Sequence, residues 1–203
     1  MRLFYTPGSP YARIVRIALL ETGLHDRVRS QEVTLRDPGS ALLPHNPVGR
    51  VPALELDDAT ILTETLLILH YIDAMHTRAP LLLKDGSDNW RTLADTGIVL
   101  GFMEGIVVWG RMLRNPGNER APTVIALEIT RANRVADMLE SVIAAGAYAS
   151  PPLNAAHIVL GCILGWADLR LTVWRWREGR PALSAWYDRL AATPSFQATA
   201  PPA

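Results

Sequence analysis

With 203 residues, 49% of them hydrophobic and 20% charged, the chain carries enough apolar material to bury a real core and too much to stay disordered. Lysine plus arginine matches aspartate plus glutamate at 20 each, which removes the charge signature of a nucleic-acid or anionic-membrane surface. A single cysteine, Cys162, excludes an intramolecular disulfide and a CxxC redox or zinc pair, and suits a reducing compartment such as the cytoplasm.

The start has one early charge, Arg2, and lacks the apolar stretch and cleavage site of a signal peptide. Residues 2–6 read as a buried strand. Ser9 stands before Pro10 like an N-cap before a proline at the first helical position, and a helix is expected over 9–22. Tyr11, Val15, Ala18 and Leu19 share one stripe of it, with Gly23 as the stop. Residues 28–35 predict a strand with imperfect alternation, and the turn formers from Asp37 to Asn46 predict a loop.

Strands are expected over Val51–Leu56 and Thr60–Leu62, joined by a hairpin turn at Asp57-Asp58-Ala59, and a helix over Glu64–Met75. The strand signals then stop. Pro80, Gly86 and the loss of periodicity mark a linker over 77–88 between a first domain at 1–76 and a second at 89–203. In the second, long helices are expected over Trp90–Leu113 and Pro122–Gly146, a buried one after an Asn154 cap, and a last one over Pro181–Ala192. The apolar run Ala155–Ala167 is shorter than the roughly 20 residues that span a bilayer, so it reads as a core helix. Strands first and helices later give a fold class of α/β followed by all-α.

Three stretches hold the polar groups that could do chemistry. Ser9 is either an ordinary cap or a hydroxyl that, with free backbone N–H groups behind it, holds an anion. Val51-Pro52 reads as a fixed turn or as the first residues of an edge strand. Glu64-Thr65 lies where a strand gives way to a helix, so it is either a dipole-favoured start or an anion site. The five histidines form no ligand cluster, and no metal site is expected.

In order and spacing, these fragments resemble the glutathione transferases, close to the bacterial ones with a serine at the active site. The points of resemblance are Ser9-Pro10-Tyr11-Ala12-Arg13, Asn46-Pro47-Val48-Gly49-Arg50-Val51-Pro52 and Glu64-Thr65. They continue through Leu160-Gly161 and Leu164-Gly165 before Asp168 to Trp186-Tyr187 and Pro194-Ser195-Phe196. The resemblance implies a thioredoxin-like first domain and a helical-bundle second domain, in a homodimer that uses glutathione as co-substrate and no other cofactor.

It also implies roles. Ser9 would donate a hydrogen bond to the glutathione sulfur; Tyr5, near the end of the first strand, is the rival donor, since other branches use a tyrosine there. Pro52 would be cis, with the Val51 main chain pairing with the cysteinyl part of glutathione. Thr65 and Glu64 would take the γ-glutamyl carboxylate and ammonium, and Arg36 and Arg50 the glycyl carboxylate. A small hydrophobic electrophile would bind between the domains, against Tyr11, Met103, Trp109 and Met112. Arg13 and Arg16 read as surface or structural residues. His157 stands where relatives carry a capping aspartate, which argues against a capping box after Asn154.

The function expected is conjugation of the glutathione thiolate to that electrophile. The rival is a non-catalytic glutathione- or ligand-binding protein of the same fold. A disulfide reductase is disfavoured because Ser9 fills the place of its nucleophilic cysteine, and a purely structural subunit is the remaining reading.

Overall fold

Two adjacent residues of the first strand, β1 (Arg2–Tyr5), show how the sheet is covered: Leu3 and Phe4 are both fully buried although they point to opposite faces. Leu3 belongs to the large core that runs through the helices, and Phe4 to a smaller cluster with Ala12, Leu42, Val51 and Ala53. The computed structural model describes residues 1–82, 90–148 and 152–202.

β1 leads into α1 (Pro10–Thr22), capped by Ser9 and closed by Gly23 in the left-handed region at φ 74°. There the Leu24 N–H reaches back to the Leu19 carbonyl and the Gly23 N–H to that of Leu20, satisfying carbonyls that the last turn leaves free. β2 (Arg29–Glu32) pairs parallel with β1. It is an edge strand with little of its surface buried, which explains the imperfect alternation of its sequence. β3 (Ala53–Glu55) runs antiparallel to β1 and β4 (Ile61–Thr63) antiparallel to β3, giving the order β2-β1-β3-β4. The hairpin closes at 57–59, where Asp58 Oδ1 accepts the Thr60 N–H at 2.9 Å and Leu56 donates to the Thr60 carbonyl.

β3 is shorter than its apolar run, for the Val51–Pro52 bond is cis and a proline has no N–H to give a ladder. α2 (Thr65–Ala74) is a residue shorter at each end than its sequence pattern, because Glu64 leaves the helix with φ 67°.

The rest is helical: α3 (Trp90–Arg114), α4 (Pro122–Ala144), α5 (Ala155–Arg170), α6 (Pro181–Ala191) and α7 (Pro194–Ala198). A thioredoxin-like sheet domain thus precedes a helical one. Residues 83–88 of the expected linker lie outside the described residues. α5 is the axis of the molecule. Every residue from Ala155 to Ala167 is buried, and the helix packs against α3, α1 and α6. α3 is long and apolar enough by length and composition to cross a membrane, but one side of it lies in this core.

The short α7 has no periodicity to announce it. It is held from outside: the buried Arg13 donates to the Phe196 carbonyl at 2.9 Å and to the Thr199 hydroxyl at 3.3 Å. The three C-terminal tryptophans, Trp174, Trp176 and Trp186, are packing residues whose indole N–H groups bond Asn133, Asp168 and the Tyr148 carbonyl. Burial pushes the Cys162 thiol up to about 12, which makes it a poor nucleophile.

The capping box at the start of α5 forms after all. The His157 N–H donates to Asn154 Oδ1 and the Asn154 N–H donates to His157 Nδ1, both at 3.2 Å. A neutral imidazole nitrogen accepts as a carboxylate would, so the missing aspartate does not cost the motif. Burial holds the His157 pKa down at about 4 against an ordinary 6.5. Below pH 6.5 the unfolded chain therefore takes up a proton that the folded chain refuses, and stability falls as pH drops toward 4. The melting temperature of the wild type minus that of His157→Gln is expected to shrink across this window; a constant difference would exclude the titration.

Candidate functional site

A cavity of about 640 Å³ opens where the N-terminal end of α1 faces α3. Its sheet-side wall consists of Thr6, Gly8, Ser9, Pro10 and Tyr11, the 46–52 loop, and Thr63, Glu64 and Thr65 at the entry to α2. Leu35 and Arg36 close one side, and Glu104, Val107, Val108, Arg111 and Arg114 of α3 with Trp166 of α5 form the opposite wall.

Ser9 sits at the head of α1 in extended geometry, with Pro10 fixing the first helical φ. Its Oγ accepts the Ala12 N–H at 3.2 Å. That bond uses an oxygen lone pair and leaves the hydroxyl hydrogen free to donate into the cavity. Tyr5 is not on the wall; its ring lies under the Arg16 guanidinium at 4.8 Å.

The 46–52 loop is organised by Asn46, a buried side chain. Its Nδ2 donates to the Arg50 carbonyl at 2.8 Å and its Oδ1 accepts the Val48 N–H at 3.1 Å. Gly49 takes φ 66°, a conformation that favours glycine, and so turns the chain toward the cis bond. Val51 and Pro52 are thereby presented on the wall, with Arg50 beside them.

Glu64 is the third fixed point. Its positive φ is uncommon for a residue with a side chain, and such departures gather at functional sites. Its own carboxylate makes no cap bond, so the first N–H groups of α2 beside the buried Thr65 have no side-chain cap. An open helix start beside a threonine hydroxyl suits a carboxylate, and the Glu64 carboxylate suits an ammonium.

Of the residues expected to contact an electrophile, only Tyr11 lines the cavity. Burial raises its hydroxyl pKa first, and Glu104 raises it further against an opposing pull from Arg111. Met103, Trp109 and Met112 are absent from the wall. Met103 is fully buried in the core, and Trp109 packs 6.0 Å from the ring of Trp174. α3 has two faces, and large apolar size marks the core face. The cavity face is mixed: Glu104, Val107, Val108, Arg111 and Arg114 recur at three and four. Periodicity places these five together, but it does not say which face is open. Trp166 also escapes a sequence reading. Gly110 lets it approach, since a Cβ there would stand 2.5 Å from the indole edge.

The comparisons with known proteins agree with this geometry. Residues 3–80 match the glutathione S-transferase N-terminal domain family and residues 122–189 the glutathione S-transferase C-terminal domain family. A glutathione transferase family member from Pseudomonas fluorescens Pf-5, solved with bound glutathione, is 34% identical with a TM-score of 0.89, covering 100% of this chain and 99% of that one. A glutathione S-transferase from Methylobacillus flagellatus KT, also with glutathione bound, is 27% identical with a TM-score of 0.90, covering 99% of each chain. The uncharacterized GST-like protein YibF of Escherichia coli K12 is 26% identical over 202 residues, covering 100% of this chain and 99% of its own.

Proposed function

The chain belongs to the glutathione S-transferase family, and on that premise we propose that it conjugates glutathione to a small electrophile, with Ser9 stabilising the thiolate. The observation that carries this reading is the Ser9 hydroxyl, which accepts from Ala12 and still has its hydrogen to donate at the cavity wall. A hydroxyl donor at a helix N-terminus favours a thiolate over a thiol.

The domain of residues 1–76 holds glutathione in this reading. Thr65 and the open start of α2 take the γ-glutamyl carboxylate, Glu64 the ammonium, the Val51 main chain the cysteinyl unit, and Arg36 and Arg50 the glycyl carboxylate. The helical domain of residues 89–203 brings α3 and Trp166 against the electrophile. The thiol proton leaves to solvent, and the thiolate sulfur attacks the electrophilic carbon. In a substitution the C–S bond forms as the carbon–halide bond breaks and halide departs with the electron pair. In an addition the carbanion formed beside the attacked carbon takes a proton from solvent. Proximity and a lowered thiol pKa supply the catalysis, with glutathione as co-substrate and no metal in the reaction. A homodimer, a cytoplasmic location and a role in detoxification belong to the same proposal.

A panel of aryl halides, epoxides and peroxides assayed with glutathione tests the reading, with calorimetric glutathione binding alongside. Turnover of at least one electrophile is expected. Thr65→Val is expected to weaken glutathione binding roughly tenfold, the worth of a charge-assisted hydrogen bond. Binding without any turnover would mean a ligand-binding protein; no binding would overturn both.

A further inference from the structure

Resting on that transferase reading, the ends of glutathione are met by Glu64, Thr65, Arg36 and Arg50 on the sheet side of the cavity, and the two cations of its α3 wall are left over. Arg111 and Arg114 lie three residues apart on α3, on the face that forms the electrophile side of the cavity. Among the described residues some arginines pair with carboxylates, as Arg2 does with Glu55, Arg131 with Glu128, and Arg177 with Asp168 and Asp188, while others, Arg36 and Arg50 of the same cavity included, do not. Among the described residues neither Arg111 nor Arg114 makes an ion pair. The Arg114 guanidinium instead stands 6.0 Å from the Trp166 ring.

The surrounding charge is of one sign. Burial holds the Arg114 pKa below its ordinary value, and the positive charges of Arg111, Arg36 and Arg170 lower it further. Like charges gathered at one end of a cavity are relieved by an anion, and guanidinium forks match a carboxylate in shape as well as charge. Glu104, two turns earlier on the same face of α3 and close enough to raise the Tyr11 pKa, repels an anion from the other end. Val107 and Val108 lie between the two ends of that wall, with Trp166 as its aromatic surface.

We infer that Arg111 and Arg114 bind a carboxylate carried by the electrophile, so that the substrate class is an apolar electrophile with an acidic end. Its apolar body lies along Val107, Val108 and Trp166, its reactive carbon faces the sulfur near Ser9, and its carboxylate lies between the two arginines.

Glutathione conjugates test this whatever the natural electrophile is. S-(4-carboxybenzyl)glutathione and S-(2-carboxyethyl)glutathione are titrated calorimetrically against their neutral carbamoyl counterparts, with unmodified glutathione as reference. The wild type is expected to bind at least one acid about tenfold more tightly than its amide, the order expected of a charge-assisted pair, and the preference should fade with added salt. In the Arg111→Gln/Arg114→Gln double variant acid and amide should bind alike. Equal affinity for acid and amide in both wild-type pairs overturns the inference and leaves the transferase reading standing. So does a double variant that loses unmodified glutathione, because the two arginines would then hold glutathione's own carboxylate. Failure of the wild type to bind glutathione at all overturns the transferase reading, and this inference with it.

Discussion

Ser9→Ala is expected to lower kcat/KM for conjugation about 10- to 100-fold near neutral pH, the worth of one charge-assisted hydrogen bond to a thiolate. Affinity for glutathione should change little, since in the proposed binding mode its charged ends are met by Glu64, Thr65 and the arginines of the cavity wall and not by Ser9. The pH profile carries the sharper test. Rate follows the thiolate, so at saturating glutathione kcat/KM for the electrophile rises with pH through the pKa of the bound thiol and then levels. A donor that stabilises only the thiolate lowers that pKa, from about 8.5 toward neutrality. Removing it moves the rise upward by about one to two units, and the deficit shrinks in alkaline buffer. Loss of the cap itself costs about 1 kcal/mol of stability, which a melting curve reads separately from the rate. Tyr5→Phe should keep the wild-type rate and profile, because Tyr5 lies under Arg16 and off the cavity wall. A Ser9→Ala enzyme with undiminished rate and an unmoved profile would remove Ser9 from the chemistry.

The half of the site that borders the sheet could be read in the sequence because its residues are turn and cap residues. Ser9-Pro10 announces a helix start, Gly49 a positive φ, and Pro52 a chain that leaves the ladder. Such signals are local, and local geometry is what one sequence specifies best. The half contributed by α3 was not legible. Which face of a long helix meets a cavity is settled by what packs on its other side, and Trp174 and α5 take the face with Met103 and Trp109. Size alone then pointed to the wrong face, while Glu104, Arg111 and Arg114 read as ordinary surface charge. The capping box at α5 was illegible for a different reason: hydrogen-bonding capacity and not residue type decides it, and His157 Nδ1 accepts the Asn154 N–H as a carboxylate would. Five-residue α7 is too short for any period, and its anchor Arg13 is nearly the whole chain away in sequence.

Asp73→Ala is expected to be the most destabilising substitution of a charged side chain away from the cavity. Asp73, in the last turn of α2, gives no sequence signal of its role. Its two carboxylate oxygens accept the backbone N–H groups of Leu81 and Leu82 at 2.8 Å each, and Oδ1 also meets His76 Nε2 at 3.1 Å. Leu81 and Leu82 are each 1% exposed, so water cannot replace the carboxylate if it is removed. The Leu81 carbonyl meanwhile accepts the Ala155 N–H at 2.7 Å, at the first residue of α5. One carboxylate thus fixes the segment through which the sheet domain touches the start of the central helix. Each buried N–H left without a partner costs about 1–3 kcal/mol, so the pair should cost about 3 kcal/mol or more. For a chain of this size that lowers the melting temperature by about 6–12 °C. Asp73→Asn keeps one carbonyl acceptor and should fall between alanine and wild type. Hydrogen exchange would localise the effect, with the Leu81 and Leu82 amides losing protection first. A melting temperature for Asp73→Ala close to that of the wild type would show that the two amides find other partners, and that the segment is held by the burial of Leu81 and Leu82 alone.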